Sequence, residues 1–198
     1  MIPPMELHYT PRSHFSRKVR LVLAALGLEA TLVDIGNVAG ADPAMFGPNP
    51  LMKVPTLVDG DCVVFESDHI ARHLVRRHDP ADRLGVLDER IATLNARAVM
   101  NAAMAAEVEL ILAARTGIDT AAHARFDKLR ATIDQALAWL EASAGVFPET
   151  PSYPGFHLVS LWDHLALYEL RPLDAYPRLR AIVARLNALP DVAASRPV

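Results

Sequence analysis

The chain has 198 residues, of which 52% are hydrophobic and 22% charged, and its formal net charge is −3. This composition is that of a globular protein with a hydrophobic core, and it excludes collagen-like and low-complexity polymers. Neither sign of charge forms a long block, and no apolar run approaches the roughly 18 residues that a membrane span needs. We therefore expect neither a nucleic-acid partner nor a membrane partner.

The chain has one cysteine, Cys62, and no group of Cys and His residues has the close spacing of a structural zinc site. We therefore expect a reducing compartment and no metal ion. The first residues lack the basic and apolar regions of a secretory signal, which favours the cytoplasm. Because Cys62 lies in a predicted hairpin, we expect its side chain to be a small buried hydrophobe.

The first part of the chain predicts a strand, a helix and a second strand. Residues 6–9 alternate between polar and apolar side chains, as a strand does. Apolar residues then recur at helical spacing from Phe15 until Gly27, a residue type that commonly ends helices. A β-branched run over 30–35 predicts the second strand, and a segment rich in Gly and Pro over 36–50 predicts a loop.

A hairpin and a helix complete this part of the chain. The Asp59-Gly60 dipeptide separates two apolar runs, which is a strong hairpin signal. Glu66-Ser67 then opens a helix that ends by Asp79. The order strand, helix, strand, loop, hairpin, helix is typical of an α/β thioredoxin-like N-terminal domain, which we assign to residues 1–80.

Helical patterns alone follow, which predicts an all-α C-terminal helical bundle over residues 86–198. Ile91–Arg115 contains neither Gly nor Pro and predicts one long helix, with three shorter helices after it. Ser160 and Asp163 have the spacing of a capping box, with Ser160 as the cap. We expect two faces of the long helix to be buried or half-buried. One is a stripe of small apolar residues (Ile91, Leu94, Ala98, Ala102, Ala105, Val108 and Leu112), and its neighbour consists of Met100, Met104, Glu107 and Ile111.

Three stretches, taken in their order and spacing, resemble the cytosolic glutathione S-transferases. They are YTPRSHFSRKVR over residues 9–20, NPLMKVPTL over 49–57 and FESDHI over 65–70. The resemblance covers nearly the whole chain and implies a homodimer that uses glutathione as co-substrate in detoxification.

The resemblance implies that Ser13 is the catalytic residue, since serine-type members place a Ser in this turn opposite the glutathione sulfur. A thiol with an ordinary pKa of about 8.5 is mostly protonated at neutral pH, so catalysis requires that the sulfur be kept anionic. A hydroxyl hydrogen bond and the positive end of a helix both favour the anion. From the residues alone, Ser13 is a helix cap, and Ser16 is the alternative contact for the sulfur.

The same resemblance assigns five residues to glutathione. Pro55 matches a cis-proline, and Val54 would offer its backbone N–H and C=O groups to the extended peptide. Ser67 and the helix N-terminus suit the γ-glutamyl carboxylate, Glu66 suits the ammonium group, and Lys53 suits the glycyl carboxylate. The ordinary interpretations are a trans proline, helix capping and a solvated lysine.

The second substrate is expected to be a small hydrophobic electrophile that contacts residues from both domains. The candidates are Tyr9, Pro11 and His14, together with Met100, Met104, Glu107 and Ile111. Methionines suit an adaptable apolar pocket, although plain packing explains them equally well.

The sequence therefore predicts a glutathione S-transferase that attacks a small apolar electrophile with the glutathione thiolate. A non-catalytic glutathione-transferase-like module for protein interaction or ligand binding is the alternative of another class. Glutathione-dependent isomerases, dehalogenases and peroxidases use the same thiolate. Members that exchange disulfides carry Cys where this chain has Ser13, which disfavours glutaredoxin-like activity.

Overall fold

The computed structural model describes residues 5–197. Within these residues it forms two compact units, of which unit 1 comprises the residues up to Leu87 together with those from Pro190 onward, and unit 2 comprises Asp88–Leu189. The last residues therefore group with unit 1, whereas the sequence assigned all of 86–198 to the helical domain. No helix within 5–197 is both long enough and apolar enough to cross a lipid bilayer.

Unit 1 contains the predicted α/β thioredoxin-like domain. Its elements in chain order are β1 (Glu6–Tyr9), α1 (His14–Leu26), β2 (Thr31–Asp34), β3 (Thr56–Asp59), β4 (Cys62–Phe65) and α2 (Ser67–His78). The strand order is β2-β1-β3-β4, with β1 parallel to β2 and antiparallel to β3, and β3 antiparallel to β4. Mixed pairing of this kind places the end of β1 and the start of α1 next to the loop that enters β3.

The core of unit 1 lies where the central strands meet the helices. Leu7 of β1 pairs with Leu57 of β3, and both side chains are fully buried, as are Val19 of α1 and Ile70 of α2. Gly27 ends α1 in the left-handed conformation, with φ 65°, and its N–H bonds back to the helix. A residue without a Cβ is favoured there, which is why the sequence signal for this helix end is local and clear.

Unit 2 contains only helices among its regular elements. They are α3 (Ile91–Arg115), α4 (Ala124–Ala142), α5 (Tyr153–Leu167) and α6 (Pro177–Asn187), with short 3-10 turns between them. The Glu141 carboxylate of α4 accepts hydrogen bonds from the backbone N–H groups of Arg178 and Leu179, at 2.9 and 3.0 Å, and so caps α6. A side chain from one helix thus satisfies the free donors of another.

The predicted cap at Ser160 is wrong, because α5 begins seven residues earlier in the chain. Ser152 is the true cap, and its Oγ accepts from the N–H of Gly155 at 3.3 Å. Pro154 stands in the first turn, where a missing N–H costs nothing. Ser160 is buried inside the helix and donates to the carbonyl of Phe156 at 2.8 Å, while Asp163 accepts from Asn187.

Only one of the two predicted faces of α3 is buried. Met100, Met104 and Glu107 are fully inaccessible. The stripe of small apolar residues is exposed over most of its length, since Ile91 is 70% and Leu94 is 37% exposed. Helical periodicity identifies both faces as apolar, but only the packing of α3 against α4 and α5 decides which one is covered.

A short helix, α7 (Pro190–Ala194), was not predicted, and it packs against α1 within unit 1. The buried Arg17 of α1 holds this segment, since its guanidinium donates to Ser195 Oγ at 3.0 Å and to the carbonyl of Val192 at 3.1 Å. A buried guanidinium is costly unless its donors are paired, so this contact fixes the end of the chain on α1.

Candidate functional site

The turn between β1 and α1 holds Ser13 as the N-cap of α1. Its Oγ accepts from the backbone N–H of Ser16 at 3.1 Å, and its carbonyl accepts from the N–H of Arg17 at 2.9 Å. Ser13 is half-buried, whereas Ser16 is fully buried and its Oγ has no hydrogen-bond partner among residues 5–197. The Ser13 oxygen therefore accepts a hydrogen bond from the helix backbone, while its own O–H group is still able to donate to another molecule.

The other residues predicted at this turn differ in exposure. Tyr9 ends β1 and is half-buried, with the guanidinium carbon of Arg20 at 5.5 Å from its ring centroid. Pro11 is exposed. His14 is the first residue of α1, is buried, and packs its ring against Phe15 at 4.7 Å between centroids.

The loop before β3 contains a cis peptide bond between Val54 and Pro55, as predicted. Pro55 is buried, Val54 is half-buried and Lys53 is exposed. The ladder with β4 starts at Thr56, so Val54 lies outside it and its backbone polar groups are not used for sheet pairing.

Asn49 organises this loop, and the sequence analysis assigned it no role. Its side-chain Nδ2 donates to the carbonyl of Lys53 at 2.8 Å and to Thr56 Oγ1 at 2.9 Å, and its Oδ1 accepts from the N–H of Leu51 at 2.9 Å. The side chain is buried, so these bonds replace water. The only local signal was the Asn-Pro dipeptide, which predicts a turn but not its partners.

Two residues flanking the site have a positive φ without being glycine. They are Met52, with φ 53°, and Glu66, with φ 67°. Such conformations are unfavourable for a residue with a Cβ and occur where the surrounding structure enforces them. Glu66 occupies the N-cap position of α2 but makes no capping hydrogen bond with its side chain, which is exposed. The Glu66 carboxylate therefore makes no capping hydrogen bond with the helix that it precedes.

The first turn of α2 brings Ser67 and Asp68 next to α1. Ser67 is buried at the first helical position. Asp68 Oδ1 accepts from Lys18 Nζ at 3.0 Å, and the Lys18 side chain is fully buried. The Lys18 ammonium also lies 5.5 Å from the ring centroid of Phe15. The start of α2 is thus tied to the middle of α1.

The comparisons with known proteins agree with this geometry. The family model described as the glutathione S-transferase N-terminal domain matches residues 7–82. The chain is 36% identical over 80 residues to glutathione S-transferase 4 of Zea mays, across 39% of this chain and 36% of that relative. A glutathione S-transferase structure from Methylobacterium radiotolerans, in complex with glutathione sulfonate, is 26% identical with a TM-score of 0.82, covering 98% of this chain and 95% of that one. Residues 7–82 are thus similar to the N-terminal domain of glutathione S-transferases.

One of the similar proteins carries a different name. The chain is also 41% identical over 80 residues to a stringent starvation protein A homolog of Coxiella burnetii, across 38% of this chain and 37% of the relative. The chain spans little more than a third of the length of these curated relatives.

Unit 2 holds the remaining predicted residues on the buried face of α3. Met104 Sδ lies 3.1 Å from Nε2 of His157 on α5, and Ile111 is buried one turn beyond Glu107. Glu107 Oε2 lies 2.6 Å from Nδ1 of His164, so the carboxyl group is already engaged by α5.

Glu107 and His164 are both buried side chains of unit 2. Burial raises the pKa of Glu107 well above its ordinary value. Burial, and secondly the positive charge of Arg115, lower the pKa of His164 to about 4. Burial thus favours the neutral form of both groups, whose nearest atoms lie 2.6 Å apart.

The expectation that Cys62 is buried is wrong. It lies on β4, the last strand in the sheet order, and its thiol is exposed and free of any disulfide. Alternation along a strand at a sheet edge directs half of its side chains to solvent, so position in the hairpin alone could not establish burial.

Proposed function

We propose that this protein is a glutathione transferase, which binds glutathione on unit 1 and stabilises its thiolate for attack on a small apolar electrophile. The observation that carries the proposal is the position of Ser13, half-buried at the head of α1, in a domain that matches the family model over residues 7–82. The complex of the related Methylobacterium radiotolerans enzyme with glutathione sulfonate supports glutathione as the co-substrate.

Ser13 is proposed to donate its hydroxyl proton in a hydrogen bond to the thiolate. The oxygen already accepts from the N–H of Ser16 at 3.1 Å, which orients the hydroxyl group at the positive end of α1. A hydrogen bond to the charged form lowers the pKa of a thiol. The anionic sulfur then forms a bond to the electrophilic carbon, and the leaving group departs with its electron pair.

The peptide backbone of glutathione is proposed to lie along Val54. The N–H and C=O groups of Val54 stand ahead of the β3–β4 ladder, so an extended cysteinyl unit can pair with them as an added strand does. Asn49 holds this segment in place through the carbonyl of Lys53. The exposed ammonium of Lys53 is proposed to meet the glycyl carboxylate.

The γ-glutamyl end is proposed to bind at the start of α2. The first N–H groups of a helix, together with the Ser67 hydroxyl, suit a carboxylate. The Glu66 carboxylate, which makes no capping hydrogen bond with the helix, suits the ammonium group.

The test is steady-state conjugation of glutathione with an aryl halide, comparing the parent with Ser13→Ala and Ser16→Ala. If Ser13 lowers the thiol pKa by one to two units, Ser13→Ala reduces kcat/KM by about 10- to 100-fold at neutral pH, and the deficit shrinks as the pH rises. Ser16→Ala is the matched control, because the same hydroxyl is removed from an inaccessible position of the same helix. Equal rates for Ser13→Ala and the parent would remove Ser13 from this role.

A non-catalytic interaction or ligand-binding module is the second candidate. The 41% identity to a stringent starvation protein A homolog, whose name is not that of a transferase, favours it. Calorimetry with glutathione separates the two functions. Binding together with conjugation supports the transferase, whereas no binding at millimolar glutathione supports the module.

A homodimer is proposed, with a second copy covering the exposed apolar stripe of α3. Ile91 and Leu94 are 70% and 37% exposed on this stripe, and contiguous apolar surface of this kind is typical of interaction sites. Sedimentation at micromolar concentration is expected to give a dimer, and Leu94→Glu a monomer. A monomeric parent would contradict the proposal.

A further inference from the structure

The cation of Lys18 is placed where no solvent reaches it. Its side chain is fully buried in α1, and its Nζ lies 3.0 Å from Asp68 Oδ1 in the first turn of α2. Asp68 itself retains 29% of its side-chain exposure, so the pair joins a buried ammonium to a carboxylate near the surface. The Phe15 ring, 5.5 Å from the same nitrogen, adds a favourable contact for a cation. A buried ammonium is costly without partners, and here the Asp68 carboxylate and the Phe15 ring stabilise its charge.

The location of Asp68 creates an electrostatic conflict with the proposed γ-glutamyl site. An acidic side chain in the first turn stabilises a helix, because it faces the positive end of the helix dipole. The same charge repels a carboxylate ligand that binds at that end. For two like charges about 7 Å apart near a protein surface, Coulomb's law gives a loss of affinity between about threefold and fiftyfold.

We propose that Lys18 is a positioning residue that acts through Asp68, by cancelling the carboxylate charge so that the start of α2 stays able to bind the γ-glutamyl carboxylate of glutathione. The inference rests on the proposed function and adds a residue to it that does not touch the ligand. It explains why a lysine is fully buried in the helix that carries Ser13, 50 residues from its acidic partner.

The experiment measures the affinity for S-methylglutathione by calorimetry, because this probe has no thiol to ionise and is insensitive to Ser13. Lys18→Met keeps an unbranched side chain of slightly shorter length and removes its charge, and it is expected to weaken binding about tenfold. Asp68→Asn removes the opposing charge, and it is expected to bind as tightly as the parent or more tightly. The double variant is expected to return to within about twofold of the parent.

Opposite effects of the two single variants on affinity distinguish charge cancellation from a clamp, by which we mean a salt bridge that only holds α1 and α2 together. If the pair only held α1 and α2 together, both single variants would weaken binding and the double variant would not recover, which would overturn the inference. Unchanged affinity of Lys18→Met would overturn it as well. If Lys18→Met does not fold, Asp68→Asn decides the question, since weakened binding in that variant supports the clamp alone.

Arg77→Met provides the matched control. Arg77 lies at the other end of α2 and is half-exposed. Its guanidinium lies 3.4 Å from the carboxylate of Asp59 on β3, so this variant also removes a cation that is paired with an acidic side chain. Its affinity for S-methylglutathione is expected to equal that of the parent. A parent protein that does not bind the probe at all would overturn the proposed function and this inference together, whereas a binding parent with an unaffected Lys18→Met overturns the inference alone.

Discussion

Replacing Glu107 by Gln should change the way in which the stability of the protein depends on pH. Glu107 is fully buried on α3 and lies 2.6 Å from His164, and its pKa is raised well above the ordinary value of 4.5 by burial. The folded chain therefore keeps a proton that the unfolded chain releases above pH 4.5. The stability that this proton brings is fully present below that pH and is lost as the pH rises through the pKa of the folded state.

The size of this change in the free energy of unfolding follows from the linkage between folding and proton binding. While the folded chain holds one proton more than the unfolded chain, the free energy of unfolding falls by about 1.4 kcal/mol for each pH unit. Glu107→Gln removes this contribution, and the amide of the new side chain still donates to His164 Nδ1. Above pH 5, and until the pH reaches the pKa of Glu107 in the folded state, the stability of the variant relative to the parent should therefore rise by about 1.4 kcal/mol for each pH unit, or roughly 3–6 °C in Tm for a chain of this size.

The assay is urea unfolding and thermal unfolding of parent and variant at pH 5, 6 and 7. The protonation of His164, whose pKa is lowered to about 4, changes the stability of both proteins alike and cancels in the difference. Glu109→Gln is the control, because Glu109 lies on the same helix with an exposed side chain that pairs with Arg125. Parallel pH profiles for the parent and Glu107→Gln would refute the conclusion that burial raises the pKa of Glu107.

Two further predictions concern unit 1. At Met52, where φ is 53°, Gly should be more stable than Ala by about 1 kcal/mol, because only glycine adopts this conformation without strain. Thermal unfolding of Met52→Gly and Met52→Ala measures this, and the usual order, with Ala more stable, would contradict it. Arg17→Met should cost about 2–3 kcal/mol, because it removes the bonds to Ser195 and to the carbonyl of Val192. Carboxypeptidase should then remove the last residues faster, while Arg20→Met should resist digestion like the parent.

The elements that were predicted well are those whose signals are local. The Asp59-Gly60 turn and the strand Cys62–Phe65 agree with the structure, and so do the bounds Ile91–Arg115 of the longest helix. Capping by Ser13 and the end of α1 at Gly27 are also found as expected. Each of these features depends on a few neighbouring residues, because turn chemistry, caps and Gly or Pro act within about one helical turn.

The predictions that failed required knowledge of which face an element buries. The apolar stripe that includes Ile91 is exposed, although its periodicity is as good as that of the buried Met100 face. Ser160 has the spacing of a cap but lies inside α5, because Ser152 begins that helix earlier. The expectation that Cys62 is buried failed for the same reason, since the residue is exposed. Periodicity shows that a face is apolar, but only a packed partner removes it from water.

For this protein, local sequence alone determined the order of strands and helices, most of their ends, and the turn that carries Ser13. The tertiary structure decided which polar side chains meet. Lys18 and Asp68 are 50 residues apart in the chain, and Glu107 and His164 are 57 apart. Local sequence does not predict such pairs, because the free energy of their interaction depends on burial and on distances that exist only after the helices have packed.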